Sequence, residues 1–180
     1  CCSKPIIFVV GPPRSGTTLM QTVLARHSKL FSVQLESGVF TLSDLFAPAR
    51  AHLGLPQSVS DRIVEESRSA AEILVKSIEE VRRLEGISED AIFIEKTPSH
   101  CLHIKRILRS FPEARIIEIV RDGRDGYVSS RRHPNIPQNR SAEDFARYWK
   151  RCILSMEHPV IKRLHQRRYL RLRYEDFCAD

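Results

Sequence analysis

The 180-residue chain predicts an α/β fold built on a parallel sheet. Four short apolar runs, at 5–11, 91–96, 114–120 and 168–175, read as strands. Stretches of helical periodicity separate them, the pattern of strands joined by crossover helices. Charge then gathers where two of these strands end, at Glu95-Lys96 and at Arg121-Asp122. The carboxyl ends of strands are where open α/β sheets place ligands.

In chain order, the run Ile6-Ile7-Phe8-Val9-Val10 stops at Gly11 and leads through a tight loop into a helix over 17–27, with Leu19, Val23 and Leu24 on one side and His27 capping its end. Residues 28–40 read as a loop or short extended piece carrying Glu36, and 41–55 as a short helical segment. Residues 59–85 read as one helix started by Ser60-Asp61, with Ile63, Ala70, Ile73, Leu74, Ser77, Ile78, Val81 and Leu84 as its apolar stripe. The strand at 91–96 ends at Thr97-Pro98, because proline cannot continue a central ladder. A helix over 99–110 follows, then the strand at 114–120 and a helix opened by residues 121–126. A Pro/Asn loop covers 133–140. Ser141 caps a helix through Phe145, Tyr148, Trp149, Ile153 and Met156, and a further helical piece runs to about His165. The last strand places Tyr169, Leu170, Leu172 and Tyr174 among arginines.

The net charge is +7 and unevenly placed: residues 1–95 carry 10 Lys and Arg against 12 Asp and Glu, residues 96–180 carry 19 against 10. A basic half implies an anionic partner, but there is no recognised nucleic-acid motif or aromatic interleaving, so no nucleic acid is expected. The five cysteines (Cys1, Cys2, Cys101, Cys152 and Cys178) are odd in number and lack CxxC spacing, which argues against a disulfide framework and a zinc site. No apolar stretch approaches the length of a membrane span.

The loop Gly11-Pro12-Pro13-Arg14-Ser15-Gly16-Thr17-Thr18 carries the chemistry. Strand, glycine loop and helix start together make an anion cradle: backbone N–H groups at the helix N-terminus point at the ligand, and the helix dipole favours negative charge there. Gly11-x4-Gly16 has the spacing of a nucleotide-binding phosphate loop, but Thr17 stands where a Walker A loop needs its lysine. The positive charge has moved to Arg14. That composition argues against an ordinary ATPase or kinase. It suits a loop that holds an anion without a metal.

Three segments together resemble the sulfotransferases that use 3′-phosphoadenosine 5′-phosphosulfate (PAPS). Gly-Pro-Pro-Arg-Ser-Gly-Thr-Thr-Leu-Met (11–20) resembles the family's 5′-phosphosulfate loop. Ile-Val-Arg-Asp-Gly-Arg-Asp-Gly-Tyr-Val-Ser (119–129) resembles its 3′-phosphate motif, and Leu-Arg-Tyr-Glu-Asp-Phe (172–177) the strand near the end of its core. Glu95-Lys96-Thr97-Pro98 is similar to the tetrapeptide of the glycosaminoglycan and tyrosyl-protein branches. The resemblance implies a P-loop-kinase-like, three-layer fold and transfer of a sulfuryl group from PAPS to a hydroxyl of a polysaccharide, protein tyrosine or small alcohol, in line and without a metal. By the same resemblance Arg14, Ser15, Gly16, Thr17 and Thr18 hold the 5′-phosphosulfate, Arg121 and Ser129 the 3′-phosphate, Tyr174 contacts the cofactor, and Lys96 supports charge at the transfer site. Glu36 matches the base position with one extra residue after His27; His100 and His103 are the alternatives. His133 stands where some relatives carry a second arginine.

The expectation for 1–180 is a single domain, either minimal or a fragment lacking the segment with which the family closes over its cofactor. Its expected compartment is cytoplasmic, or the Golgi lumen for an excised catalytic domain. The competing readings are a non-catalytic basic module for acidic polymer or nucleotide on the same fold, and a divergent P-loop kinase.

Overall fold

The computed structural model describes residues 5–41, 52–133, 141–164 and 167–179. Most of the 41–55 segment, residues 134–140, His165, Cys1 and Cys2 lie outside them. The strands are β1 (Ile7–Val10), β2 (Leu30–Phe31), β3 (Ile92–Lys96), β4 (Arg115–Val120) and β5 (Tyr169–Arg173). The helices are α1 (Thr17–Leu24), α2 (Gln57–Glu65), α3 (Ala70–Leu84), α4 (Ile104–Ser110), α5 (Gly123–Arg131), α6 (Ala142–Met156), α7 (Pro159–Lys162) and α8 (Tyr174–Phe177). Among the described residues the strands form one sheet in the order β2-β3-β1-β4-β5, every neighbouring pair parallel.

β1 is apolar throughout because both of its faces are covered. Side chains alternate across a strand. Phe8 and Val10 therefore join Phe93 and Ile116 in a core with Ile73 and Leu74 of α3, Ile107 of α4 and Met156 of α6. Ile7 and Val9 face the other way, with Ile94, Ile119 and Met20 of α1, and α8 packs there through Tyr174 and Phe177. Helices on both faces of a parallel sheet make the three layers expected. β3 lies in the register Phe8↔Glu95 and Val9↔Lys96, which sends Glu95 and Lys96 to opposite faces of the sheet.

Four local expectations change. The helix expected over 17–27 ends at Leu24 with Ala25 as its C-cap, short of His27. The single helix expected over 59–85 is two, α2 and α3. The first starts at Gln57 after Pro56, so Ser60 lies buried inside it instead of capping it. The second starts at Ser69, whose side chain accepts the Glu72 N–H at 3.2 Å, while the Glu72 carboxylate accepts the Arg68 N–H at 2.8 Å. These local bonds satisfy backbone groups that a continuous helix would have used, and so break it. The stripe is buried from Ile63 to Val81, but Leu84 is exposed.

The helix expected at 99–110 begins as a 3-10 turn over Pro98–His103, with the His100 N–H donating to the Thr97 carbonyl at 3.0 Å. The last strand stops at Arg173, and its expected end turns into α8. There the Glu175 carboxylate accepts the Asp122 N–H at 2.9 Å, which swings Tyr174 over the glycine loop. No helix among the described residues is long and apolar enough to cross a membrane.

Candidate active site

The loop after β1 is held by its own geometry. Gly11 has φ 152°, and a Cβ there would sit 2.2 Å from the Ile119 carbonyl oxygen. Gly16 has φ 94°, and a Cβ there would sit 2.3 Å from the Tyr174 ring. Both positions require glycine. The Gly11 N–H donates to the Pro98 carbonyl at 3.1 Å, tying the loop to the end of β3. Arg14 also has positive φ, 66°, which costs a non-glycine residue of order 1–3 kcal/mol and is the kind of strain that gathers at functional sites. Ser15 is turned inward: its hydroxyl is buried and donates to the Pro12 carbonyl at 2.7 Å. Its hydroxyl therefore closes the loop and does not face the cleft. Gly16, Thr17 and Thr18 face the cleft at the N-terminus of α1.

Arg14 points across this cleft and donates from Nε to Ser129 Oγ at 3.2 Å. Ser129 lies on α5, so the two motifs meet although 115 residues separate the pair. Arg121, at the end of β4, stacks over the Tyr174 ring with its guanidinium carbon 4.4 Å from the centroid, and the Trp149 indole N–H donates to its carbonyl at 3.1 Å. Its Nε is buried and has no hydrogen-bond partner among the described residues. An unsatisfied buried donor costs about 1–3 kcal/mol, more when charged, so an anion is the natural occupant of this place. The cleft encloses about 540 Å³ and is lined by Arg14, Glu36, Arg121, Ser129 and Tyr174 among others. That is the size of a ligand pocket. Two arginines, a helix N-terminus and a glycine opening fit a bisphosphorylated nucleotide such as the PAPS nucleotide.

Glu36 lines the cleft, and Lys96, which is not itself among the lining residues, reaches it Nζ to Oε1 at 2.9 Å. The lysine side chain is 5% exposed and the glutamate 49%, so the lysine is a fixed charge and the carboxylate is open to an incoming group. Glu95 does not pair with Lys96, as two adjacent strand residues cannot share a face. Glu95 is instead buried against the other core. Burial pushes its carboxyl up, but the His100 imidazole and hydrogen bonds from His100, Ser37 and Thr97 outweigh this and hold it below its ordinary value.

His100, an alternative base, is fully buried and bonded to Glu95 at 2.8 Å, out of reach of an acceptor. His103 is not among the residues that line the cleft. Partial burial, then the neighbouring His100, Arg106 and Arg151, lower its imidazole. Of the three candidate bases, only Glu36 stands in the cleft. Tyr148 and Ser99 also line it, and nothing in the sequence marks them: Tyr148 reads there as one more apolar-face residue of a helix. His133, the position at which the resemblance gives some relatives a second arginine, lines it too.

The chain matches the sulfotransferase family over residues 5–180. It belongs to that family. A sulfotransferase relationship also runs through individual relatives. The chain is 31% identical over 130 residues to an uncharacterized protein of Aquifex aeolicus (strain VF5), covering 71% of this chain and 17% of that one. It is 28% identical over 127 residues to protein-tyrosine sulfotransferase 1 of Danio rerio, covering 67% and 33%. The chain therefore spans about a third or less of the curated relatives it matches. Among solved structures, the sulfotransferase domain of the Synechococcus PCC 7002 olefin synthase superposes with a TM-score of 0.67 at 24% identity, over 98% of this chain and 68% of that one. That likeness establishes the P-loop-kinase-like sulfotransferase fold.

Proposed function

We propose that this chain transfers a sulfuryl group from PAPS to an acceptor hydroxyl. The donor, when bound, supplies the activated sulfuryl group and leaves as adenosine 3′,5′-bisphosphate. The N–H groups at the start of α1, with the Thr17 and Thr18 hydroxyls and the Arg14 guanidinium, hold the 5′ anion. Arg121 and Ser129 hold the 3′-phosphate, and Tyr174 covers the nucleotide beside Arg121. Arginine suits that second site because its planar fork pairs a phosphate in a bidentate way that lysine cannot. Ser15 keeps the loop closed behind these groups.

Glu36 takes the proton of the acceptor hydroxyl as the oxygen attacks, a role worth about 10²–10⁴-fold in rate. Lys96 orients Glu36 and presents a fixed positive charge where negative charge develops. Removing one such preorganised donor typically costs about 2.7–4 kcal/mol of transition-state stabilisation. The transfer resembles phosphoryl transfer, in which positioning and electrostatics dominate.

The observation that carries this reading is the Arg14–Ser129 hydrogen bond, because it brings the glycine loop and the motif that follows β4 together at one cleft. The chain's relatives include protein-tyrosine sulfotransferases, and a phenolic hydroxyl heads the acceptor classes to try, followed by polysaccharide and small-alcohol hydroxyls. The test is incubation with radiolabelled PAPS in EDTA against these three classes. A sulfated product that disappears in Glu36→Gln supports the reading. Tight bisphosphate binding with no product from any class would favour the non-catalytic binding module instead.

A further inference from the structure

The last two residues of β3 grip the segment that carries Glu36 from both faces of the sheet. From one face Lys96 reaches Glu36 at 2.9 Å. On the other face Glu95 Oε1 accepts the Ser37 hydroxyl at 2.6 Å and the Thr97 hydroxyl at 2.6 Å, while Oε2 lies 2.8 Å from His100 Nδ1. Two backbone groups of the same segment join this cluster. The Gly38 N–H donates to Thr97 Oγ1 at 3.2 Å, and the Phe40 N–H donates to His100 Nε2 at 3.3 Å. For the neutral ring the second contact assigns the tautomer: Nε2 accepts, so Nδ1 carries the proton and donates to Glu95.

All four cluster side chains are buried, each at most 2% exposed. The His100 ring lies between Phe8 and Phe40, with centroids 6.3 and 5.4 Å away. Burying a carboxylate is costly unless it is well hydrogen-bonded. Apolar packing would fill this volume without that cost. What the polar cluster adds is direction: its bonds run to residues 37–40 or to the side chains that hold them.

We propose that Glu95, His100, Thr97 and Ser37 form a positioning cluster that fixes the backbone next to Glu36 and so sets the Glu36 carboxylate against Lys96 at the reacting centre. The proposal rests on the reading of Glu36 as the base. None of the four touches the acceptor; they act through the segment. β3 thus supplies the transfer-site cation with one residue and the brace for the base with the residue before it.

The test compares wild type, Ser37→Ala, Ser37→Thr and Glu36→Gln in the full chain. Amide hydrogen exchange at Gly38 and Phe40 reads the brace, calorimetry with adenosine 3′,5′-bisphosphate reads the anion site, and kcat and KM with PAPS and the best acceptor read the chemistry. Ser37→Ala is expected to speed exchange at Gly38 and Phe40 by at least about tenfold while Phe8 and Val9 of β1 keep their protection. Bisphosphate affinity stays within about twofold, and kcat falls about 10²-fold, as expected for a misplaced catalytic group. Ser37→Thr restores the hydroxyl and most of both losses. Unchanged exchange and kcat in Ser37→Ala would overturn the proposal, and so would a loss of β1 protection and bisphosphate affinity together, which would mean general unfolding. Glu36→Gln separates the two readings: if it stays active, the base assignment fails, whereas the exchange at Gly38 and Phe40 still decides whether the brace exists.

Discussion

At the scale of residues, the decisive contrast is between Glu36 and Glu95. The two carboxylates attach to one short segment but differ in exposure, 49% for the Glu36 side chain against 1% for Glu95. The open one can take a proton from an acceptor; the closed one can only hold its neighbours. Replacing Glu36 by Gln should lower kcat by about 10²–10⁴-fold and leave bisphosphate affinity within about twofold by calorimetry, since the proposed role of Glu36 is toward the acceptor and not the nucleotide. Glu95 predicts a pH effect. Its folded carboxyl is held below the ordinary value of 4.5, so it contributes stability that is present above that value and lost as pH falls through the folded value. Melting temperatures between neutral pH and pH 3 should therefore fall more steeply in wild type than in Glu95→Gln, which carries no titrating group there. The family resemblance offered Glu36, His100 and His103 as bases. Choosing among them needs burial, and burial of a single side chain depends on which face of β3 and which turn carries it, information that lies outside any local spacing.

At the scale of elements, the strands were legible because buried parallel strands are continuous apolar runs, and here Gly11, Pro98 and Arg121 mark where three of them have ended. The break between α2 and α3 was hidden by its own phase. Ile63 and Ala70 are seven residues apart, close to two helical turns, so the apolar stripe continues across the gap. The signal that betrays it is Ser69 followed three residues later by Glu72, a helix-start pattern inside an apparent helix. The turn from β5 into α8 was equally hidden, and it matters more, because it lays Tyr174 against Gly16. Gly16→Ala should therefore weaken bisphosphate binding and destabilise the fold by about 1–3 kcal/mol, since both the Tyr174 contact and the positive φ oppose a Cβ. Adding Tyr174→Ala should remove the contact without restoring stability, as the φ of 94° remains; denaturant titration of the single and double variants checks this. In β1, Phe8→Ala removes a fully buried ring from the larger core and should cost about 3–5 kcal/mol in the same titration.

At the scale of the whole molecule, the sheet converts three distant stretches of sequence into one site. β1, β3 and β4 are neighbours and run in parallel, so the glycine loop, Lys96 and Arg121 arrive at the same edge. The excess of basic residues after position 95 supplies one of the two cleft arginines, Arg121, while Arg14 comes from the acidic half. Charge balance by itself could not have drawn that site, and its partner is better read from the motif spacing than from the net charge. By the proposed function this edge binds a nucleotide through two separate phosphates, with Arg121 on the second. Calorimetry in EDTA, comparing adenosine 3′,5′-bisphosphate with adenosine 5′-monophosphate on wild type and Arg121→Ala, tests it most directly. Wild type should prefer the bisphosphate by at least about tenfold, or 1.4 kcal/mol, and Arg121→Ala should lose that preference while still binding the monophosphate. Equal affinity for the two nucleotides in wild type, or binding of ATP with Mg2+ in place of the bisphosphate, would contradict it.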